Sequence, residues 1–417
     1  MKLNNIELEA VKYLRTPAAI RQKCDRLFNL ASENKLNFFC VDLSELDKAA
    51  NYAINTTRQQ YPDFNIPFHS RWRHFEAGNQ LRLAQFDAAL TEFSAIEQAK
   101  IKFDLAIVSV LLDASAGADW QYCEAETKEV YRRSEGLAVA TFRMFSQGIF
   151  SSNPNFPWQA DFRGLSQLKL ETLAAGFQVS RDNPLVGLTG RLELLQRLGN
   201  AICQHPLLFG SENQRPGNLA QYLLDSVVSG VKTVDCAEIL SAVLTGFGEI
   251  WPGKYAIGGV NLGDVWRHSA LQGENLGDEF VPFHQLSQWL TYSLLEPLQE
   301  LGLYVVGLDE LTGLAGYRNG GLCLDMGLLR AKDWAIFEQR YLPGSEVVVE
   351  WRSLTVILLD KIATAMRDKL HLSATALPLV KILQGGTWAA GRKIATELRA
   401  GGVPPIHIES DGTFFNS

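Results

Sequence analysis

Apolar side chains recur at spacings of three and four residues along most of the chain, which is the period of an amphipathic helix. The first such stripe runs through Val11, Leu14, Ala18, Ile20, Cys24, Leu27 and Leu30. The same period continues in the segments 79–115, 125–147, 184–204, 217–228, 235–249, 283–302, 350–370 and 376–399. Asn183 followed by Pro184 predicts a helix start, with the asparagine as N-cap.

Alternation of apolar and polar residues, the pattern of a half-buried strand, is rare in this chain. The short runs 303–307, 346–349 and 406–408 are the candidates for strands. None of them is long enough to build an extensive sheet. The sequence therefore predicts a mostly α, multi-helix globular protein with at most a minor β element.

Turn-forming residues interrupt the helical pattern at 151–157, which contains two prolines. A second break at 210–217 is either a boundary or only a loop. We therefore expect an N-terminal helical region over 1–150 and a helical domain over 160–417. The sequence leaves open whether the first region is separate or wraps the second.

Composition narrows the class of protein. The 417 residues include 39 Lys and Arg and 46 Asp and Glu, giving a formal charge of −7. This mild acidity, without a long basic run, disfavours nucleic acid as a partner. Apolar stretches such as Leu105–Leu112 are too short to span a bilayer, and the N-terminal residues lack a signal-peptide core. Six scattered cysteines without a C-x-x-C pair are typical of reduced thiols. We expect a cytoplasmic protein with no membrane partner.

Aromatic and basic residues are concentrated at 68–75. His69 and His74 are five residues apart and no H-E-x-x-H motif is present, so we expect no metal site here. Arg71 and Arg73 could bind an anion or stack on a planar ligand. The alternative is an amphipathic packing segment.

Glycines cluster at 258–263, just before Asp264, Arg267 and His268. A glycine-rich loop that opens a helix can bind an anion on its free N–H groups. The spacing matches neither a P-loop nor a Rossmann turn. The favoured interpretation is an ordinary salt-bridged helix start.

An unusual polar face is predicted on the otherwise apolar helix near 283–302, formed by residues 284, 285, 288, 291 and 292. A buried polar face requires hydrogen-bond partners. It therefore lines a ligand or takes part in an interhelical network, and the ligand-lining interpretation is favoured.

Two further glycine-rich stretches have the character of binding sites. In 309–325, the glycines break any regular helix and leave Tyr317, Arg318 and Asn319 on an irregular turn. In 385–392, Gly-Gly-Thr precedes a helix that carries Arg392 one turn later, which suits a phosphate at a helix N-terminus. The alternative for the second stretch is that Thr387 is only an N-cap.

Long motifs are spread over nearly the whole chain: HSRWRHFEAG at 69–78, SVLLDASAG at 109–117, VPFHQLSQWLTYSLLEPL at 281–298, LTGLAGYRNGG at 311–321, EWRSLTV at 350–356, GGTWAAGR at 385–392 and SDGT at 410–413. These motifs resemble the uracil-catabolism family known in yeasts as "uracil catabolism four". The resemblance implies a place in a pathway that converts uracil, through a ribosylated urea, to urea.

From about residue 160 onward the chain also resembles, more distantly, the queuosine 5′-monophosphate N-glycosidases of queuosine salvage. Their F-Y-K-R-A-Q, F-A-D-Y-R and E-I-R-G segments correspond in order to Phe283–Gln288, Leu314–Arg318 and Glu350–Arg352. This resemblance implies a helical fold and hydrolysis of an N-ribosidic bond. A phosphoribosyl urea would fit the pathway as substrate.

Such a reaction builds positive charge on the ribose, which a carboxylate stabilises while the same or another carboxylate activates water. The candidates for these carboxylates are Asp264, Asp325, Glu350 and Asp411, and His284 is the candidate proton donor. The candidates for substrate binding are Gln285, Gln288, Trp289, Tyr317, Arg318, Asn319, Thr387, Trp388 and Arg392. We expect a small nucleotide-like substrate, no metal and no cofactor.

Two departures from the salvage family concern the chemistry. Its lysine falls on Gln285 here, and its aspartate before Tyr-Arg falls on Gly316. Another carboxylate must replace that aspartate if the chain is a glycosidase. The alternatives are an amidohydrolase acting on a ring-opened uracil nucleotide and a non-catalytic binding or scaffolding partner.

Overall fold

A computed structural model describes residues 3–227, 232–409 and 413. The helices are α1 Asn5–Leu14, α2 Pro17–Ser32, α3 Leu46–Gln60, α4 Trp72–Phe75, α5 Arg82–Ala89, α6 Ala95–Leu111, α7 Arg133–Ser146, α8 Phe162–Ser166, α9 Leu170–Gly176, α10 Leu188–Gln204, α11 Pro206–Phe209, α12 Leu219–Ser226, α13 Cys236–Phe247, α14 Gln285–Glu300, α15 Tyr317–Asp325, α16 Glu346–Leu370, α17 Leu379–Ile382 and α18 Trp388–Leu398. None of these helices has both the length and the apolar character needed to cross a membrane.

The strands are short: β1 Phe39–Val41, β2 Gln121–Cys123, β3 Val130–Arg132, β4 Thr233–Asp235, β5 Ala256–Ile257, β6 Val260–Asn261, β7 Val265–Arg267, β8 Phe280–Pro282, β9 Tyr304–Val306, β10 Leu329–Ala331, β11 Arg340–Tyr341 and β12 His407–Ile408. They form six two-stranded pairs in the described chain. The pairs β1–β10, β2–β3, β5–β6 and β7–β8 are antiparallel, whereas β4–β9 and β11–β12 are parallel. The predicted mostly α fold is confirmed, as are the strands predicted within 303–307 and 406–408.

Contacts divide the described residues into two compact units. Unit 1 is drawn from Met1–His69, Gly253–Gln288 and Gly307–Glu409. Unit 2 is drawn from Ser70–Pro252 and Trp289–Val306, together with Thr413. The division of α14 between the two sets falls after Gln288.

The core of unit 1 is built around α16, whose residues are buried without a break from Val347 to Leu359. Helices α2 and α3 pack against it, and α15 packs on both α16 and α18. Because α16 is surrounded by other elements, its first turn is a continuous apolar run and not an amphipathic stripe. The candidate strand at 346–349, Glu346 followed by three valines, is therefore wrong: these residues form the first turn of α16.

The core of unit 2 is built around α6, which Ser94 caps by accepting a hydrogen bond from the Glu97 N–H. Residues Ile101–Leu111 of this helix are all buried, and α7 and α12 pack against it. Helix α10 packs on α8, α9 and α13. The stretch 79–115 is therefore helical in two pieces, α5 and α6, which a turn at residues 90–94 separates.

The helix start predicted at Asn183 and Pro184 is wrong. Helix α10 begins at Leu188, after Gly187 in the left-handed region at φ 70°. The Asn183 side chain serves a different purpose: its amide donates to the carbonyls of Gln121 and Gln178, 2.8 Å away in each case. An asparagine side chain can hydrogen-bond either to the first N–H groups of a following helix or to other backbone groups. At Asn183 the hydrogen bonds to Gln121 and Gln178 form in place of a helix cap.

The two glycine-rich helix starts are also corrected. The glycines at 258–263 form the β5–β6 hairpin and the approach to β7, so no helix opens there. Residues Leu383–Thr387 form a π-helical turn that joins α17 to α18. Because the helical backbone is continuous through Thr387, no free N-terminus exists for a phosphate, and Thr387 is not an N-cap.

The division of the chain at 1–150 and 160–417 stays a prediction. Within unit 1, α2 and α3 from the first range pack on α16 from the second. We therefore expect limited proteolysis to yield no stable fragment that begins near residue 155, because such a fragment would expose the apolar faces of α16. A protease-resistant fragment from about 155 to the C-terminus, identified by mass spectrometry, would show instead that the first 150 residues are separate.

Candidate active site

Asp264 is buried beside β7, in a bidentate ion pair with Arg352 of α16. The two N–O distances are both 2.8 Å. The indole N–H of Trp266 donates to Oδ1 at 2.7 Å, and the backbone N–H of Gln285 donates to Oδ2 at 3.1 Å. Burial alone raises the pKa of Asp264, but the arginine and these hydrogen bonds outweigh it and hold the pKa below its ordinary value. This geometry favours a positioning role over a basic one.

Glu350, two residues before this arginine, has a different environment. Its Oε1 accepts hydrogen bonds from the backbone N–H groups of Phe38 and Phe39, at 3.1 and 2.7 Å. Its Oε2 accepts no hydrogen bond from any described residue and lies 3.5 Å from Nε2 of His268. The histidine Nδ1 accepts from the Ala270 N–H at 3.2 Å, so the neutral ring carries its proton on Nε2, facing the carboxylate. Both side chains are buried.

The side chain of Gln288 holds the start of α14 through hydrogen bonds from its amide nitrogen and to its amide oxygen. Its Nε2 donates to the Phe283 carbonyl and to Thr312 Oγ1, each at 2.9 Å, and its Oε1 accepts from the Thr312 N–H at 2.8 Å. Gln285 lies 3.4 Å from the Arg352 guanidinium through its Oε1. The predicted polar face at this end is therefore buried and hydrogen-bonded, and it fixes the segment at Thr312 ahead of α15. The irregular turn predicted for Tyr317, Arg318 and Asn319 is wrong, because these residues form the first turn of α15.

His284 precedes α14 in the left-handed region, at φ 46°. Its Nε2 lies 2.9 Å from the Leu14 carbonyl oxygen, to which it donates. Burial lowers the pKa of this histidine, so the ring is neutral and its proton is held by a backbone acceptor. These contacts favour a structural role over the proton donation proposed from sequence.

A cationic and aromatic cluster surrounds Trp388 of α18. The guanidinium carbon of Arg318 lies 5.0 Å from the indole centroid and 5.2 Å from the ring of Tyr317. Arg392, one turn after the tryptophan, lies 6.0 Å from the same indole. His69 packs against it with ring centroids 5.7 Å apart. Arg318 is buried and Arg392 is exposed, so the cluster combines a fixed cation with an accessible one.

Two buried polar atoms near this cluster lack hydrogen-bond partners among the described residues. The amide of Asn319 donates to the Leu314 carbonyl at 2.8 Å, while its Oδ1 accepts nothing. Thr387 Oγ1, at the end of the π-helical turn, also has no partner. Because buried polar groups are normally paired, these atoms are candidates for contacts to a ligand.

Two of the described predicted site residues are not part of this arrangement. Asp325 pairs through both oxygens with Arg399, at 2.8 and 2.6 Å, at the far end of α15. Trp289 belongs to unit 2, where the guanidinium of Arg71 lies 5.5 Å from its ring. Asp411 lies outside the described residues. Within the described chain, no three His, Cys, Asp or Glu side chains group as metal ligands.

Sequence reasoning missed His268 as a partner of Glu350. It sits just after β7, and strand pairing with β8 turns it toward α16. The available signal was only the rarity of histidine, of which the chain has seven. The false expectation of a helix at 264–268 hid it.

Comparison with known proteins now defines the relationships. Residues 13–415 match a protein family described as "Protein of unknown function (DUF1688)". The chain belongs to this family. Over 414 residues it is 39% identical to "Protein urg3" of Schizosaccharomyces pombe, covering 98% of this chain and 99% of that protein. Over 440 residues it is 36% identical to "Uracil catabolism protein 4" of Lachancea kluyveri, covering 97% of this chain and 99% of that protein. The resemblance to the uracil-catabolism family is confirmed.

His69 is buried beside Trp388, and the pH dependence of the free energy of unfolding tests this environment. Burial lowers the pKa of His69 to about 4 from 6.5, despite its hydrogen bond with Gln384. Below pH 6.5 the unfolded chain therefore binds a proton that the folded chain does not. In the wild-type protein this difference makes the free energy of unfolding rise with pH between about pH 4 and pH 6. We expect His69→Gln to lower that slope by about 1.4 kcal/mol per pH unit, because glutamine binds no proton in either state.

Urea denaturation at several pH values measures this slope. His407→Gln, at an exposed position of unit 1, is the matched control and should leave the slope unchanged. An unaltered slope in His69→Gln would contradict the assigned environment.

Proposed function

We propose that this chain acts in uracil catabolism as a hydrolase of an N-ribosidic bond, with a ribosylurea or its 5′-phosphate as substrate. The assignment to uracil catabolism rests on the name of the Lachancea kluyveri relative. The reaction type comes from the resemblance to the queuosine-salvage glycosidases and from the side chains of unit 1.

The observation that carries the proposal is the free carboxylate oxygen of Glu350. Oε2 accepts no hydrogen bond from a described residue and only the His268 N–H faces it, from 3.5 Å, in contrast to the fully paired Asp264. A buried carboxylate in this condition has strong affinity for a proton donor or for developing positive charge. Both are present when water attacks a ribosyl carbon.

In the proposed reaction, Glu350 Oε2 accepts a proton from water as the water oxygen bonds to the anomeric carbon. The bond from that carbon to the urea nitrogen breaks with its electron pair on nitrogen. The carboxylic acid so formed returns the proton to that nitrogen, which gives urea and ribose 5-phosphate. His268 orients the carboxylate from 3.5 Å.

The cluster around Trp388 supplies the proposed phosphate and ribose contacts. Arg318 and Arg392 are guanidinium groups, which hold phosphate in a bidentate fork. Tyr317 and Trp388 offer flat walls, while Asn319 and Thr387 offer the unpaired buried atoms described above. Asp264, Gln285 and Gln288 then keep the surrounding elements in register.

Glu350→Gln tests the catalytic assignment, because glutamine keeps an oxygen for the Phe38 and Phe39 N–H groups but cannot accept the proton. We expect the wild-type protein to release urea from ribosylurea 5′-phosphate, and not free base from uridine or queuosine monophosphate. We expect kcat to fall about 10²–10⁴-fold in the variant, with KM little changed.

Glu33→Gln, an exposed carboxylate of unit 1, is the control and should retain full activity. Retention of kcat in a folded Glu350→Gln protein would remove this residue from the mechanism. Absence of urea release from the wild-type protein would overturn the proposed reaction.

Gly316 favours a second candidate, a binding or scaffolding role, because the salvage glycosidases carry an acidic residue at the matching position. It is the N-cap of α15, at φ −77° and ψ 165°, which any residue can adopt. If the wild-type protein is inactive, we expect Gly316→Glu to produce urea release from ribosylurea 5′-phosphate. An inactive but folded variant, with ligand binding intact by calorimetry, would support the non-catalytic role.

A further inference from the structure

Unit 2 contains a cavity of about 690 Å³ that the proposed reaction does not use. It is lined by residues of α6, α11 and α12 and of the loops at 153–159 and 210–218. All of its lining residues belong to unit 2. Its volume lies within the range of small-molecule sites.

The most informative lining side chain is Arg215, only 5% of which is exposed. Its Nε lies 2.8 Å from Asp104 Oδ2 and its Nη1 donates to Glu97 at 2.6 Å. Its Nη2 is buried and has no hydrogen-bond partner among the described residues. The guanidinium lies 5.7 Å from the ring of Phe156. Because buried N–H groups are normally paired, an unpaired one on a side chain that lines a cavity is a candidate for contact with a ligand.

Carboxamides line the same cavity with their oxygens available. The amide nitrogens of Gln159, Asn218 and Gln221 already donate to Asp161, to the Phe209 carbonyl and to Asp225. No hydrogen bond among the described residues uses their oxygens. The lining of the cavity thus includes both acceptors for N–H groups and a fixed guanidinium donor.

The charge of the lining restricts the ligand further. Glu97, Glu212 and Asp225 oppose Lys100 and Arg215, so carboxylates outnumber cations. This balance disfavours phosphates and carboxylates as ligands. The required ligand is uncharged, presents a carbonyl to the guanidinium and presents N–H groups to the amide oxygens.

We propose that this cavity is a second ligand site, which binds an uncharged ureide or pyrimidine through the alternating carbonyl and N–H groups of its ring. The arginine Nη2 donates to a ring carbonyl, the oxygens of Gln159, Asn218 and Gln221 accept the ring N–H groups, and Phe156 packs on the flat face. Orotate, which adds a carboxylate to the same ring, is disfavoured by the excess of carboxylates in the lining.

Isothermal titration of the full-length protein with uracil tests the site. We expect saturable binding, at least 10-fold weaker binding of orotate, and a Kd for uracil raised about 10-fold or more in Arg215→Lys. The lysine keeps the charge but loses the forked donor. Gln221→Leu, on the accessible face of α12, should raise the Kd about 5-fold without affecting the fold.

Gln204→Leu, an exposed glutamine of unit 2 outside the cavity, is the matched control and should bind as wild type. Glu350→Gln should also bind uracil unchanged, which separates this site from the proposed reaction. The proposal is overturned if uracil does not bind, if orotate binds equally well, or if Gln221→Leu leaves the Kd unaltered.

Discussion

The buried ion pair between Asp264 and Arg352 is the interaction on which the geometry of unit 1 depends. It joins the approach to β7 with the second turn of α16, and the same carboxylate accepts the first N–H of α14. Two charges taken out of water are tolerable only when each is fully paired, and removing one partner of such a pair costs about 3–5 kcal/mol. The pair therefore fixes where α14 begins, and with it the glutamine that holds the segment at Thr312 ahead of α15.

This constraint also explains the difference between the two acidic residues. Both oxygens of Asp264 accept hydrogen bonds from an arginine, an indole and a backbone N–H. This carboxylate therefore has a structural role. Glu350, two residues earlier on α16, points to another side of the helix, because side chains two apart do not share a face. It receives only backbone donors on one oxygen, and this leaves the second oxygen for chemistry.

Periodicity predicted the helices well where one face is buried, as in α2, and the short strands at β9 and β12. It failed where a helix is buried all round, as at 346–349 of α16, because a strand and a fully buried helix both appear as apolar runs. It also failed at glycine pairs: one pair made a hairpin and another a π-helical turn. Long-range pairing decided these cases, and a local pattern contains no information about it.

For the site, sequence reasoning found the residues of the Trp388 cluster and Glu350, because aromatic and charged residues in glycine-rich stretches are unusual. Their assigned roles remain predictions. It did not separate Asp264 from Glu350, because ion pairing with a residue 88 positions away is visible only in the fold. The partnership of Glu350 with His268 was missed for the same reason.

The π-helical turn at Leu383–Thr387 is one residue wider than a turn of α-helix, so in evolutionary terms it is a one-residue insertion carried inside a helix. Losing that residue would restore a regular helix but rotate everything after it by about 100° relative to α17. The indole of Trp388 and the guanidinium of Arg392 would then leave the side of α15 that presents Arg318. A deletion of one glycine here is thus equivalent to the loss of several side chains at once, so the number of residues in this turn sets the position of the cluster.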